Sequence, residues 1–332
     1  MSNIVLTHRC NKGCSYCFAA QTRNLTIASK ENVDMTLDTF KSIVDKHIAS
    51  NQRQIKLLGG EPTQHPQFEE FLRYAFDNNV EVTIISNFLF SKEVRDVILR
   101  YLEKAPMHFL INATELDKAD RMAIFRENYD TIYKFLYARD AETNIACGIT
   151  IDPDVPVEKY ISYVEYLQKN LIAIEKMRIS LAFPGSDNQK GNFFFINNKK
   201  LGDYFVYLVK TLLNMNIPST LDCILFPCMF EGKEEMKFLM KFFDQFNRSK
   251  CGDTAGPTDY LPDGNAIYCY PCNRLSVNTS KFKTNASVVE SLRMKYAISR
   301  SLVDMPESCL KCGYYGNKCD GPCLGFFDIE SV

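Results

Sequence analysis

Residues 4–17 read IVLTHRCNKGCSYC, a short apolar run from Ile4 to Leu6 that breaks into a loop carrying Cys10, Cys14 and Cys17. Three residues separate the first two thiols and two separate the next pair. The apolar run predicts a strand, and thiols gathered in the loop behind it can converge on one inorganic centre. Three thiolates serve three irons of a cubane and leave the fourth iron without a protein ligand, so an outside chelator has a metal to bind. On the triplet alone, a structural zinc site or a run of buried cysteines stays open.

Residues 55–62, IKLLGGEP, repeat the theme of a strand running into a special loop. Gly59 and Gly60 permit close backbone approach, Glu61 offers a carboxylate to a ligand amine, and Pro62 restrains the exit. Around these loops the chain alternates strands with amphipathic helices. Thr36 caps a helix bearing Phe40, Ile43 and Val44, and Pro66 opens one bearing Phe68, Phe71 and Leu72. Strands follow at 82–85, 108–111, 145–151 and 177–182. The helices between and after them fall at 91–102, 126–138, 158–168 and 204–213. Six such units predict an α/β fold, a partial (β/α)6 TIM-like barrel over residues 1–215, with its chemistry at the C-terminal ends of the strands.

Composition narrows the function classes. Among 332 residues, Lys plus Arg number 39 and Asp plus Glu 40, so no charge excess favours nucleic acid or an anionic membrane. No apolar stretch is long enough to span a bilayer, and the first residues lack a secretory pattern, which makes a cytoplasmic protein the expectation. Thirteen cysteines then stand out, because a reducing compartment disfavours disulfides and points so many thiols toward metal or iron-sulfur ligation.

The cysteine triplet, Tyr16 just before its third member, and Gly59-Gly60-Glu61-Pro62 together resemble the radical S-adenosylmethionine (SAM) superfamily. The resemblance implies a [4Fe-4S] cluster on Cys10, Cys14 and Cys17 whose open iron chelates S-adenosylmethionine. Cleavage of the sulfonium would give a 5'-deoxyadenosyl radical that takes a hydrogen from substrate. It further implies cofactor contacts at Tyr16, Phe18, Gly59, Gly60, Glu61, Pro62, Ser86, Asn87, Asn112, Asp152 and Arg178, with Thr114 also toward the cavity mouth. Ser86 and Asn87 read equally as a polar turn, and Asp152 as the cap of the turn at Pro153.

Residues 216–332 hold nine of the cysteines and predict a small cysteine-rich α+β domain, with helices near 234–246 and 288–301. Cys309, Cys312, Cys319 and Cys323 are separated by two, six and three residues, and upstream twelve residues lie between Cys251 and Gly264 and four more before Cys269. This resembles the SPASM extension of radical SAM enzymes, with one residue more in the middle gap and no cysteine after Cys323. The resemblance implies one or two auxiliary [4Fe-4S] clusters, two being preferred. It groups Cys251, Cys269 and Cys323 with Cys228, and Cys309, Cys312 and Cys319 with Cys272. Cys147, inside a strand, reads as core, and Cys223 is left over.

The implied activity is a radical SAM oxidoreductase that modifies a C–H position in a peptide or protein; the alternative is a small metabolite. A low-potential donor such as flavodoxin or ferredoxin would supply electrons. With Cys10 so near the start, peptide recognition would fall to a separate protein or to the catalytic domains themselves.

Overall fold

Alternation along the strands decides which face of the sheet is sealed. One face carries Ile4 and Leu6, Ile55 and Leu57, Val82 and Ile84, Phe109 and Ile111, Cys147 and Ile149, Met177 and Ile179, all buried. The opposite face is half-buried and largely polar, with Lys56, Thr83, His108, Thr150, Arg178 and Ser180. Side chains alternate across a strand, so a two-residue period of this kind requires helices on one side only.

The computed structural model describes residues 2–14, 16–17, 19–112, 114, 119–141, 144–170, 174, 176–182, 190–221, 226–230, 232, 234, 237, 258–317 and 319–327. Strands β1 (Ser2–Thr7), β2 (Gln54–Gly59), β3 (Glu81–Ser86), β4 (Met107–Asn112), β5 (Ile145–Ile151) and β6 (Met177–Leu181) lie side by side in chain order, every pair parallel. Helices α1 (Ala20–Ser29), α2 (Leu37–Ala49), α3 (Phe68–Asp77), α4 (Lys92–Leu102), α5 (Ala119–Tyr137), α6 (Val157–Asn170) and α7 (Lys190–Asn214) occupy the intervals. This is the partial barrel that the sequence predicts.

Lys56 and Arg178 show that the sheet curves. They sit on strands four places apart, which a flat sheet would separate by about 19 Å, well beyond a Debye length. Yet Lys56 is held below its usual pKa, by burial first and then by the charge of Arg178. Curvature brings the two cations toward each other across the open face.

Local signals set several boundaries. Thr36 Oγ1 accepts from Thr39 N at 3.1 Å and Ser91 Oγ from Val94 N at 3.5 Å, so both predicted caps are in place. Phe71 and Leu72 of α3 are fully buried, each contributing roughly 1.5–3 kcal/mol. Other boundaries differ from expectation. Pro66 precedes the cap position of α3, because Pro62–Gln64 forms a separate 3-10 turn first. Helices α5 and α7 begin earlier than the apolar period suggests, and α1 is unanticipated because it has no buried residue to give it a stripe.

The parallel run gains one strand at its far edge, β7 (Ser219–Leu221). At the near edge, β8 (Asp259–Tyr260) pairs parallel to β1 and leads into the antiparallel β9 (Asn265–Ile267) and β10 (Ser276–Asn278). Helix α8 (Asn285–Leu302) packs on α2. The helix expected near 234–246 lies mostly outside the described residues.

Candidate active site

The loop after β2 fits against the loop after β1 with no room for side chains. Gly60 N donates to Thr7 O at 2.8 Å and Glu61 N to Arg9 O at 2.8 Å. A Cβ on Gly59 would run into Thr7 O; one on Gly60 would run into Arg9 O and stand 2.8 Å from Cys10 Cβ. The glycines therefore let the second loop support the first thiol from beneath.

Glu61 is buried at 1% exposure, and four donors occupy its carboxylate. Oε1 accepts from Thr63 N, Thr63 Oγ1 and Ser86 Oγ at 3.3, 2.7 and 2.8 Å, and Oε2 accepts from Asn87 N at 2.7 Å. Burial raises its pKa, and these hydrogen bonds pull the other way, Asn87 N–H foremost. A carboxylate has about four lone-pair sites, so Glu61 acts here as a clamp between the ends of β2 and β3. Pro62 opens the 3-10 turn that holds the clamp's backbone.

Further polar ties fasten the cysteine loop over the strand ends. Asn11 Nδ2 donates to Leu89 O at 2.7 Å, and Asn87 Nδ2 donates to Asn11 Oδ1 at 2.8 Å. Tyr16 Oη donates to Asn112 Oδ1 at 3.0 Å and also meets Thr114 Oγ1, while buried Lys12 reaches Thr114 O. Arg9 forms a forked pair with Asp34, whose carboxylate also accepts from Thr7 Oγ1 at 2.6 Å. Cys10, Cys14 and Cys17 are each partly exposed at the C-terminal ends of β1 to β4. Sequence reading did not single out Asn11, Lys12 or Asp34; the only signal for the first two is their place between two cysteines.

The remaining candidates are spread along the same rim. Asp152 follows β5, and its Oδ1 accepts from Asp154 N at 2.9 Å, the turn-capping arrangement. Arg178 lies on β6 in register with Gly148 and Thr220. Phe18 lies outside the described residues. Below the rim, Asp259 accepts from Asn3 Nδ2 at 2.6 Å, and burial raises its pKa to about 6.

The C-terminal cysteines fall into two groups. The free thiol of Cys272 is hydrogen-bonded to those of Cys269 and Cys323, which raises its own pKa and lowers that of Cys323. The side chain of Cys228 keeps contact with solvent, yet the protein packed around its thiol desolvates it and, with Cys319, Cys309 and Cys312 next in effect, pushes its pKa up to about 11. The resemblance had implied the reverse placement, with Cys228 beside Cys269 and Cys323, and Cys272 beside Cys309, Cys312 and Cys319. Spacing could not decide this, since only the packing of the 227–229 turn fixes where Cys228 goes. Cys223 and Cys251 lie outside the described residues.

Comparison with known proteins starts from residues 4–176, which match the model of the family described as "Radical SAM superfamily". The chain belongs to that superfamily. Among curated relatives, the S-adenosylmethionine-dependent nucleotide dehydratase of Selenomonas ruminantium is 34% identical over 26% of this chain, and that of Fibrobacter sp. is 32% identical over 25%. These matches span only 28% and 25% of the relatives' own lengths. Among solved structures, Streptococcus suis SuiB bound to S-adenosylmethionine superposes with a TM-score of 0.63 at 14% identity, covering 97% of this chain and 72% of SuiB. SuiB bound to precursor peptide SuiA gives 0.61 at 15%, covering 97% and 71%. The likeness is one of fold, and it runs on through the C-terminal cysteine region.

The thiols suit the iron-sulfur centres that a radical SAM fold implies. A backbone N–H two residues ahead points at the sulfur in three places: Lys12 at Cys10, Gly321 at Cys319 (3.3 Å) and Gly325 at Cys323 (3.4 Å). Such bonds favour the thiolate and tune a cluster. The Cys10 thiol is nonetheless raised, by burial above all, with Glu61 and Cys17 adding to it. Among the described residues no three His, Cys, Asp or Glu side chains group to hold a metal ion. A cubane instead takes one thiolate at each of its separate iron corners. Among them, too, no helix is long and apolar enough to cross a membrane.

Proposed function

We propose that this chain is a radical SAM oxidoreductase that modifies a C–H position in a peptide or protein. The observation that carries the proposal is the thiol loop tied over the ends of β1 to β4, at the mouth of an open and polar sheet face. When bound at Cys10, Cys14 and Cys17, a [4Fe-4S] cluster with an open iron would chelate S-adenosylmethionine and supply the electron for its reductive cleavage. The residues around it do the positioning. Gly60 supports Cys10, and Asn11 and Tyr16 hold the loop level with Asn87 and Asn112. Glu61, with its carboxylate oxygens occupied and its carbonyl accepting from Gln64 N at 3.0 Å, fixes the 59–62 backbone beside the thiol loop and does not itself reach for a ligand amine.

Residues 1–215 would form the catalytic barrel and residues 216–332 the auxiliary-cluster region, with a flavodoxin or ferredoxin as electron donor in the cytoplasm and the peptide recognised either by a separate protein or by the catalytic domains themselves. The peptide reading draws support from the fold likeness to SuiB, whose structure was determined with a precursor peptide. Identity with the nucleotide dehydratases supports a second reading, a small metabolite, though over only about a quarter of the chain.

The test is anaerobic reconstitution followed by assay of 5'-deoxyadenosine. The parent is expected to form it under reduction and Cys14→Ala is expected not to. A fully loaded parent that forms none overturns the enzyme reading. Deuterium passing into 5'-deoxyadenosine from a labelled peptide, and not from labelled nucleotides, decides between the two substrates.

A further inference from the structure

The five residues Phe226–Phe230 send one side chain outward and keep four inside. Phe226, Pro227, Met229 and Phe230 are buried, and Cys228 is exposed. This 3-10 turn is pinned to α7, where the Met229 carbonyl lies against Gly202 so closely that no Cβ would fit. Phe230 also meets the ring of Phe205, 6.4 Å between centroids. With its backbone fixed on both sides, Cys228 is held where its thiol lies within electrostatic reach of those of Cys319, Cys309 and Cys312.

Those three thiols sit in a loop shaped by its own backbone. Cys312 N donates to Cys309 O at 3.0 Å, Cys319 N to Tyr314 O at 2.9 Å and Gly316 N to Cys319 O at 2.9 Å. Three thiols leave one corner of a four-iron centre to fill, and the pinned turn presents a fourth thiol beside them from upstream.

We propose that Cys228 is the fourth thiolate of the auxiliary [4Fe-4S] centre held by Cys309, Cys312 and Cys319. The assignment rests on the radical SAM reading above and deepens it. Four thiolates leave no iron open, so this centre passes electrons and does not coordinate substrate. Because Cys228 belongs to a turn packed on α7, cluster binding also ties the 309–323 loop to the barrel, coupling metal loading to the docking of the C-terminal region. Cys272 remains with Cys269 and Cys323.

The full chain reconstituted with iron and sulfide under argon supplies the test. Iron, sulfide and the EPR spectrum of the reduced protein are read for the parent, Cys228→Ser, Cys309→Ala, the two combined, and Cys272→Ala combined with Cys309→Ala. Cys228→Ser is expected either to lose about four irons per chain or to keep them with a changed signal that shifts on adding imidazole. The affected signal should be the one that Cys309→Ala removes. Combining Cys228→Ser with Cys309→Ala should cost no more iron than Cys309→Ala alone, whereas adding Cys272→Ala should remove a further centre. Circular dichroism confirms that each variant is folded, and Cys228→Asp, which keeps an anionic ligand, should hold more iron than Cys228→Ser if the role is ligation. A parent loaded with all its centres and a Cys228→Ser variant indistinguishable from it would overturn the assignment alone. A parent that loads only the Cys10 centre, or takes up zinc, overturns the auxiliary-centre reading and the assignment together.

Discussion

Gly60 lies beneath Cys10 so closely that a side chain on it would stand 2.8 Å from Cys10 Cβ. The glycine is thus part of the thiol's seat, and the hydrogen bonds from Gly60 N to Thr7 O and from Glu61 N to Arg9 O hold the two loops together around it.

Gly60→Ala should accordingly displace the cysteine loop. A backbone carbonyl cannot yield as a flexible side chain does, so the cost is about 1–3 kcal/mol in stability. Urea unfolding measures that cost, and iron uptake at the first centre should fall with it. Normal loading and unchanged stability would show that the seat is not tight.

Glu61→Gln keeps the size and replaces an acceptor with an amide that donates. One of Thr63, Ser86 or the Asn87 N–H then faces a donor, at a cost of about 1–3 kcal/mol. The variant should weaken S-adenosylmethionine binding by moving the 59–62 backbone, which isothermal titration under argon would register. If direct contact with the ligand were the carboxylate's only role, stability would stay at the parent value.

Asp259 and His47 oppose each other in the pH dependence of stability. The Asp259 pKa is raised to about 6 by burial, so the folded state binds the extra proton and stability falls as pH rises from about 4 to 6. His47, fully buried, is lowered to about 4 by burial, so the unfolded state binds the extra proton and stability rises with pH toward 6.5. Asp259→Asn keeps an acceptor for Asn3 and removes the first slope. Its unfolding free energy should rise with pH more steeply than the parent's between pH 4 and 6, by about 2 kcal/mol over the interval. Parallel curves for the two proteins would refute this.

Cys312→Ala separates the two halves of the chemistry. It should leave measurable cleavage of S-adenosylmethionine, because Cys10, Cys14 and Cys17 are untouched, and should abolish turnover of a confirmed substrate. Product formation at the parent rate would remove the auxiliary centre from the mechanism.

Much of the fold was legible in the chain itself, because the signals were local. Apolar alternation at Ile145–Ile151 predicts β5 to the residue, and the hydroxyls of Thr36 and Ser91 cap the helices they precede. The tight spacing of Cys10, Cys14 and Cys17 and the pair Gly59-Gly60 were readable for the same reason, since both are constraints within a few residues. Helix α1 left no such trace, because it buries nothing and so carries no apolar stripe.

What only the tertiary structure decided are contacts between segments distant in sequence. That β8 joins the edge of β1, that four donors from two strand ends occupy Glu61, and that Cys228 lies near Cys319 while Cys272 is hydrogen-bonded to Cys269 and Cys323 follow from packing. A sequence states which thiols exist and how far apart they lie along the chain. Which of them meet depends on how the chain closes in space, and the closure of a long loop costs so little more than that of a short one that spacing alone cannot choose between partners.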